Sequence, residues 1–203
     1  MVQLLILLDS YQLEISLATL TQQLSNEKIS EIVKTLSLEE KKLPENNHLL
    51  IIDAGGIAGV RHLKACIHFS IQSFAQKENL AKSLNTEILL YLSGYRQISK
   101  AIKKIGLNKS SKIIVGIHLR LSKKSETNSF FNFQQYLEER KIAYSNFRLD
   151  VDHIPLIDEK KLLENLGITE EEVTLHLQNN SDKRETVIEK IAIEKSALLN
   201  LLK

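Results

Sequence analysis

The chain of 203 residues has one cysteine, two prolines, seven glycines and no tryptophan. One thiol forms neither an internal disulfide nor a multi-thiolate metal site, and such scarcity fits a reducing compartment. An excess of charge is missing too. Lys and Arg number 27 against 25 Asp and Glu, a net +2, which is too little for a protein that grips nucleic acid through a broad basic field. Any nucleic-acid contact must therefore be local. No run approaches the roughly 18 apolar residues that a membrane helix requires. The apolar opening at residues 4–8 lacks the basic start and the length of a signal peptide, so the expected location is the cytoplasm. With 43% apolar and 26% charged residues, the composition argues against disorder.

Apolar runs at 4–8 and 49–52 read as buried strands. Residues 11–38 read as helix, because Leu13, Leu17, Leu20 and Leu24 recur at spacings of three and four. Residues 39–47 are charged, hold Pro44 and read as a surface loop. A helix is predicted over 60–76, with Leu63, Ile67, Ser70, Ile71 and Phe74 inward and Cys66 at the edge. The polar break at 77–83 offers Asn79 and Ser83 as caps. A long helix is predicted from about 85 to 105. Ile88, Tyr91, Leu92, Tyr95, Ile98, Ile102 and Ile105 form its inner stripe, and Gly106 stops it.

Residues 113–121 alternate as a strand, with Gly116, His118 and Arg120 on its solvent face. A polar loop at 122–129 leads to a short helix holding Phe133, Tyr136 and Leu137. Phe147, Leu149 and Val151 then mark another strand. From 158 onward the chain reads as helical. Gly167 is a stop, and Thr169 with Glu172 has the spacing of a capping box. Ser181 or Asp182 opens the last helix, whose inner stripe is Ile188, Ile191, Ala192, Leu198, Leu199 and Leu202. Helical crossovers between strands are few. The expected class is therefore α+β, a single domain over 1–203 with a small mixed sheet packed against several helices.

Each candidate for chemistry has a plainer reading beside it. The turn Ala54-Gly55-Gly56-Ile57-Ala58-Gly59 lies between a strand and a helix, where backbone amides can hold a phosphate. It matches only the last two glycines of the dinucleotide fingerprint and lacks a P-loop lysine, so a tight turn is favoured. His62 lies one helical turn before Cys66, but no further Cys or His has a comparable local spacing, and zinc needs more ligands. Asp150 with Asp152, and His118 with Arg120, share strand faces and read by default as solvated. Arg96, Lys100, Lys103 and Lys104 lie at helical spacing, and Arg61, His62 and Lys64, which open the preceding helix, gather beside them with Lys82 of the break if the two helices pack as a hairpin. They form either a local phosphate-binding surface or a solvated face, and spacing alone favours the latter.

Residues 53–106 carry a resemblance. GGIAGVRHL is followed by KENLAKSLNTEILLYLSGYRQISKAIKKIG. Gly56, Gly59, His62, Leu63, Asn79, Ala81, Ser83, Leu84 and Glu87 match, as do Tyr91-Leu92-Ser93-Gly94, Arg96-Gln97-Ile98 and Ala101. The segment resembles the kinase-binding, TPRKB-type subunit of the KEOPS complex, in an archaeal-like form. LGITEEEV and EKIAIEKSALLNLL resemble the C-terminal helical part of that family, within 157–203. The loops at 39–47 and 122–129 are long for it.

The resemblance implies a non-catalytic subunit with no cofactor and no metal, usually monomeric outside its complex. KEOPS makes threonylcarbamoyladenosine in tRNA. Its TPRKB-type subunit docks on the kinase/ATPase subunit, meets the transferase subunit only indirectly, and in archaeal members captures the 3′ CCA end of tRNA. Single-stranded ends are held by phosphate contacts and by stacking on flat side chains. The RNA-binding candidates are accordingly His62, Asn79, Lys82, Tyr95, Arg96, Gln97 and Lys100. The apolar final turn offers Leu198, Leu199, Leu201 and Leu202 as partner contacts. Two rivals stand: a small nucleotide-dependent enzyme using residues 55–59, and a scaffold that activates a kinase without binding RNA.

Overall fold

The computed structural model describes residues 11–121, 130–149, 151, 153–156, 158–179 and 182–201. The elements run β1 (Tyr11–Leu20), α1 (Asn26–Glu40), β2 (Asn47–Asp53), a 3₁₀ turn (Ala54–Gly56), α2 (Val60–Ala75), α3 (Leu84–Ser93) and α4 (Ile98–Ile105). They continue with β3 (Ile113–Leu121), α5 (Phe133–Glu139), β4 (Tyr144–Arg148), α6 (Glu159–Leu166), α7 (Glu170–Asn179) and α8 (Arg184–Leu201). The class is α+β, as expected. The chain divides into two compact units, residues 1–54 with 106–151 and residues 55–105 with 152–203. The expected strand at 4–8, the loop at 122–129, and Asp150 and Asp152 lie outside the described residues.

The first unit holds a four-stranded sheet in the order β2-β3-β1-β4. Its pairings are all antiparallel rather than mixed. Residues 11–20 are a strand, which corrects the helix expected from 11. Leu13, Ile15 and Leu17 alternate as cleanly as Leu13, Leu17 and Leu20 follow helical spacing. Pairing decides between the two periods, since β1 runs between β3 and β4 and tertiary context overrides so short a local pattern. Helix begins only at α1, where the Ser25 hydroxyl accepts the Lys28 N–H at 3.1 Å. Ala18, Ile32, Leu36, Ile51, Ile114 and Phe133 share one core cluster, and the Tyr136 hydroxyl ties α5 to α1 by donating to the Ile32 carbonyl at 2.7 Å.

Gly116, His118 and Arg120 are buried rather than solvated. The Phe133 ring lies against Gly116, where a Cβ would come within 2.9 Å of it. The Phe131 N–H donates to His118 Nδ1 at 2.8 Å. The neutral ring therefore carries its proton on Nε2 and donates it to Asn47 Oδ1 at 2.8 Å. Arg120 Nε donates to the same oxygen at 3.3 Å, and Nη1 donates to Gln12 Oε1 at 2.9 Å. Burial, then the charges of Arg120 and His48, hold the His118 pKa down at about 4.

The second unit is helical. Here α2 packs on α3 and α8, α3 also on α4 and α8, and α7 on α8. Ala58, Leu162, Leu166, Val173, Ile188 and Ile191 belong to one core cluster. The single helix expected over 85–105 is two, α3 and α4. Gly94 ends α3 in the left-handed region with φ 67°, a conformation that glycine adopts without the Cβ penalty. Gly167 ends α6 in the same way with φ 61°. The capping box forms as expected. The Thr169 N–H donates to Glu172 Oε2 at 2.7 Å, and the Glu172 N–H to Thr169 Oγ1 at 3.2 Å. The last helix starts at Arg184; Ser181 lies outside the described residues. Among the described residues no helix is long and apolar enough to cross a membrane.

Candidate nucleic-acid interface

The turn between α3 and α4 is built by Ser93 and Gly94. The Ser93 hydroxyl donates to the Leu90 carbonyl at 3.0 Å and accepts the Tyr95 N–H at 3.1 Å. With Gly94 left-handed, the chain leaves the helix and presents Tyr95, Arg96 and Gln97. Arg96 and Gln97 are exposed and Tyr95 is half-buried. Lys100, also exposed, places its Nζ 5.8 Å from the centre of the Tyr95 ring, within reach of a cation–π contact. These four candidates therefore share one short segment.

Helix α4 is covered along only part of its apolar side. Ala101 and Ile105 face inward, while Ile98 and Ile102 are 44% and 51% exposed. The continuous helix expected over 85–105 places both in its buried stripe. Spacing alone does not single them out, since Ile98, Ala101, Ile102 and Ile105 share one apolar side of α4; only the packing shows which part of that side is left uncovered. Residues 88–105 contain no Asp or Glu, yet they hold Arg96, Lys100, Lys103 and Lys104. Lys104 donates to Asn165 Oδ1 at 2.9 Å, while Lys103 is exposed. Lys100, Lys103 and Lys104 thus lie on one side of α4, and Ile98 with Ile102 on the other, beside the buried Ala101 and Ile105.

Asn79 and Lys82 are exposed in the loop at the other end of α3. The helix of 10 residues separates them from Tyr95 by about 15 Å at 1.5 Å per residue. Asn79 Nδ2 donates to the Ala81 carbonyl at 2.8 Å. Ser83 caps α3 by accepting the Thr86 N–H at 3.3 Å. His62 is placed differently, because its ring is wholly buried. The Ala58 N–H donates to its Nδ1 at 3.2 Å, so Nε2 carries the proton toward Ser196 Oγ, also at 3.2 Å. Burial holds its pKa down at about 4. It thus lines no groove, since the inner face of α2 carries it inward together with Cys66.

Cys66 is wholly buried rather than at an edge. Burial pushes its thiol up to about 12, far from the thiolate that nucleophilic chemistry requires. The glycine turn is filled by the protein itself. Glu189 Oε1 accepts the N–H groups of Arg61 and His62 at 2.7 and 3.2 Å, the amides that a phosphate would use. A cavity of about 150 Å³ opens beside it, with Gly59, Arg61, His153, Glu185 and Glu189 in its walls. Two carboxylates there oppose an anionic ligand. Gly56 lies against Ile105, whose Cβ would be 3.1 Å from a Cβ added to the glycine. Both motif glycines therefore have packing reasons. Among the described residues, no group of three or more His, Cys, Asp or Glu is placed to hold a metal ion.

At the C-terminus Leu199 is buried and Leu198 is 49% exposed, so adjacent leucines fall on opposite sides of α8. Leu201 is the last residue of α8, with its side chain outside the described residues, as is Leu202.

An α+β scaffold bearing a local cationic surface is the class that these features define. The chain belongs to the kinase-binding protein CGI-121 family, whose sequence model matches residues 17–195. That is the family expected from residues 53–106. No curated protein matches the chain.

Proposed function

We propose that the chain is the kinase-binding subunit of a KEOPS-type tRNA-modification complex. It docks on the kinase/ATPase subunit and recruits tRNA by its 3′ CCA end for threonylcarbamoyladenosine synthesis. It catalyses no step itself, meets the transferase subunit only indirectly, and works in the cytoplasm as a monomer when outside the complex. Membership of a kinase-binding family supports the first half. The same membership supports the non-catalytic role, as does the inward, protonated state of Cys66.

The RNA half is carried by one observation, the surface at 95–103. A single-stranded end needs cations for its phosphates and flat or apolar side chains for its bases. Arg96, Lys100 and Lys103 supply cations, Tyr95 a flat ring and Gln97 a hydrogen-bonding amide. The absence of carboxylates over 88–105 gives this segment a positive field although the whole chain is nearly neutral.

Comparing intact tRNA with tRNA trimmed of its CCA end tests the reading. Purified protein should bind the intact form and lose most of that affinity on trimming. Equal affinity for the two would refute recruitment through the CCA end. Kinase binding with no RNA affinity at all would favour the pure scaffold.

A further inference from the structure

Glu87 is wholly buried in the first turns of α3. Its carboxylate accepts the Ser73 hydroxyl at 3.1 Å, the Leu80 N–H at 3.1 and 3.0 Å, and the Ala81 N–H at 2.7 Å. A buried carboxylate is costly unless hydrogen bonds replace its water. A glutamine of the same shape would point its own N–H groups at one of these donors. The carboxylate accepts from the hydroxyl and from both amides at once, with Leu80 shared between its oxygens. A glutamine has one acceptor oxygen for both amides, turns its NH2 toward the Leu80 N–H and needs the Ser73 hydroxyl to reverse its role. Helix α3 does not need this, because Ser83 already caps it.

What the carboxylate fixes is the loop. With the Leu80 and Ala81 amides drawn inward, the side chains of Asn79 and Lys82 stand outward and exposed. The remaining bonds agree with this geometry. Lys77 turns the chain in the left-handed region with φ 60°, the Glu78 N–H donates to the Ser73 carbonyl at 2.9 Å, and Asn79 braces Ala81. The loop is thus held from inside by one acidic residue and presents a cation and an amide without further ordering, which lowers the cost of binding.

We propose that Glu87 is the positioning residue of this loop, setting Asn79 and Lys82 where they meet the RNA end, a role that rests on the tRNA-recruiting reading above. Glu87 touches no RNA. It acts through the backbone of Leu80 and Ala81.

The test is a double-mutant cycle on the full chain, with intact and CCA-trimmed tRNA as probes. Lys82→Ala and Glu87→Gln should each weaken binding of intact tRNA by about three- to tenfold, and the double variant should be little weaker than either alone. A merely structural Glu87 predicts losses that multiply, and that result would overturn the proposal. Unchanged affinity in folded Glu87→Gln would overturn it as well, leaving recruitment intact. A wild-type protein blind to trimming would instead overturn the recruitment reading, and the proposal with it. If Glu87→Gln does not fold, Ser73→Ala loosens the same carboxylate more gently. Hydrogen exchange at Leu80 and Ala81 should then quicken and affinity should fall. Quicker exchange with unchanged affinity would overturn the proposal.

Discussion

The carboxylate of Glu189 accepts the backbone N–H of Arg61 at 2.7 Å and so caps a helix whose own cap residue, Gly59, has no side chain to do it. The two positions are linked sterically. A Cβ on Gly59 would lie 2.7 Å from Glu189 Cδ, so an alanine there evicts the carboxylate. The displaced group is the end of a flexible side chain, and it moves more readily than backbone. Gly59→Ala and Glu189→Ala should therefore each remove the same cap, at about 0.5–2 kcal/mol. The double variant should lose little more than either single one. Urea unfolding of the four proteins measures this, and additive losses would separate the glycine from the carboxylate.

Gly94 gives a test by sign. In a continuous helix, Gly94→Ala would stabilise by about 1 kcal/mol. In a left-handed terminator with φ 67°, the same change should destabilise by about 1–2 kcal/mol. Asparagine, which tolerates that region better, should cost less. No side chain crowds the position, so thermal unfolding reads the backbone cost directly. A more stable Gly94→Ala protein would contradict the two-helix description.

The same residue shows where sequence reasoning stops. The apolar residues from Ile88 to Ile105 fit one helical stripe because α3 is buried nearly all round, so any stripe drawn through it continues into the apolar side of α4. Signals carried by adjacent residues were legible. The Ser83 cap, the Thr169 and Glu172 box and the Gly167 stop need only a spacing of three or a single glycine. Residues 11–20 were not, because their leucines satisfy two periods and only the pairing with β3 and β4 chooses. Nor were His118 and Arg120, whose polar partners Asn47 and Gln12 come from other strands. In the candidate site, Tyr95, Arg96, Gln97 and Lys100 were legible as a cluster. Glu87 and Glu189 were not assigned their roles, because each acts on backbone amides that no side-chain pattern reveals.

Two buried histidines set an acid limit. His62 and His118 are both held at about 4 in the folded protein, below the 6.5 of an unfolded chain. Between those values the unfolded state binds protons that the folded state does not. Stability should be flat above pH 6.5 and should fall as pH drops toward 4, by about 1.4 kcal/mol per pH unit for each histidine. Urea unfolding at pH 7 and pH 5 spans the window while most carboxylates stay ionised. His62→Gln should flatten its share of the slope even where it lowers stability overall. Equal stability at the two pH values would refute the account.

Salt dependence decides whether near-neutrality and RNA binding are compatible. Each phosphate neutralised on a single strand contributes about −0.7 to the slope of log K against log salt. Arg96, Lys100 and Lys103 are exposed on the candidate surface, as is Lys82 in the loop before α3, and four contacts predict a slope of about −3. Arg96→Ala should weaken CCA binding, reduce the slope by about 0.7, and change stability by no more than about 0.5 kcal/mol. Tyr95→Leu should weaken binding and leave the slope alone, since losing a stacking ring releases no counterion. The pair separates the two kinds of contact in one titration series. A slope steeper than about −4 would mean many phosphates held by a broad field, which a chain of net charge +2 does not provide, and it would place the RNA on another surface.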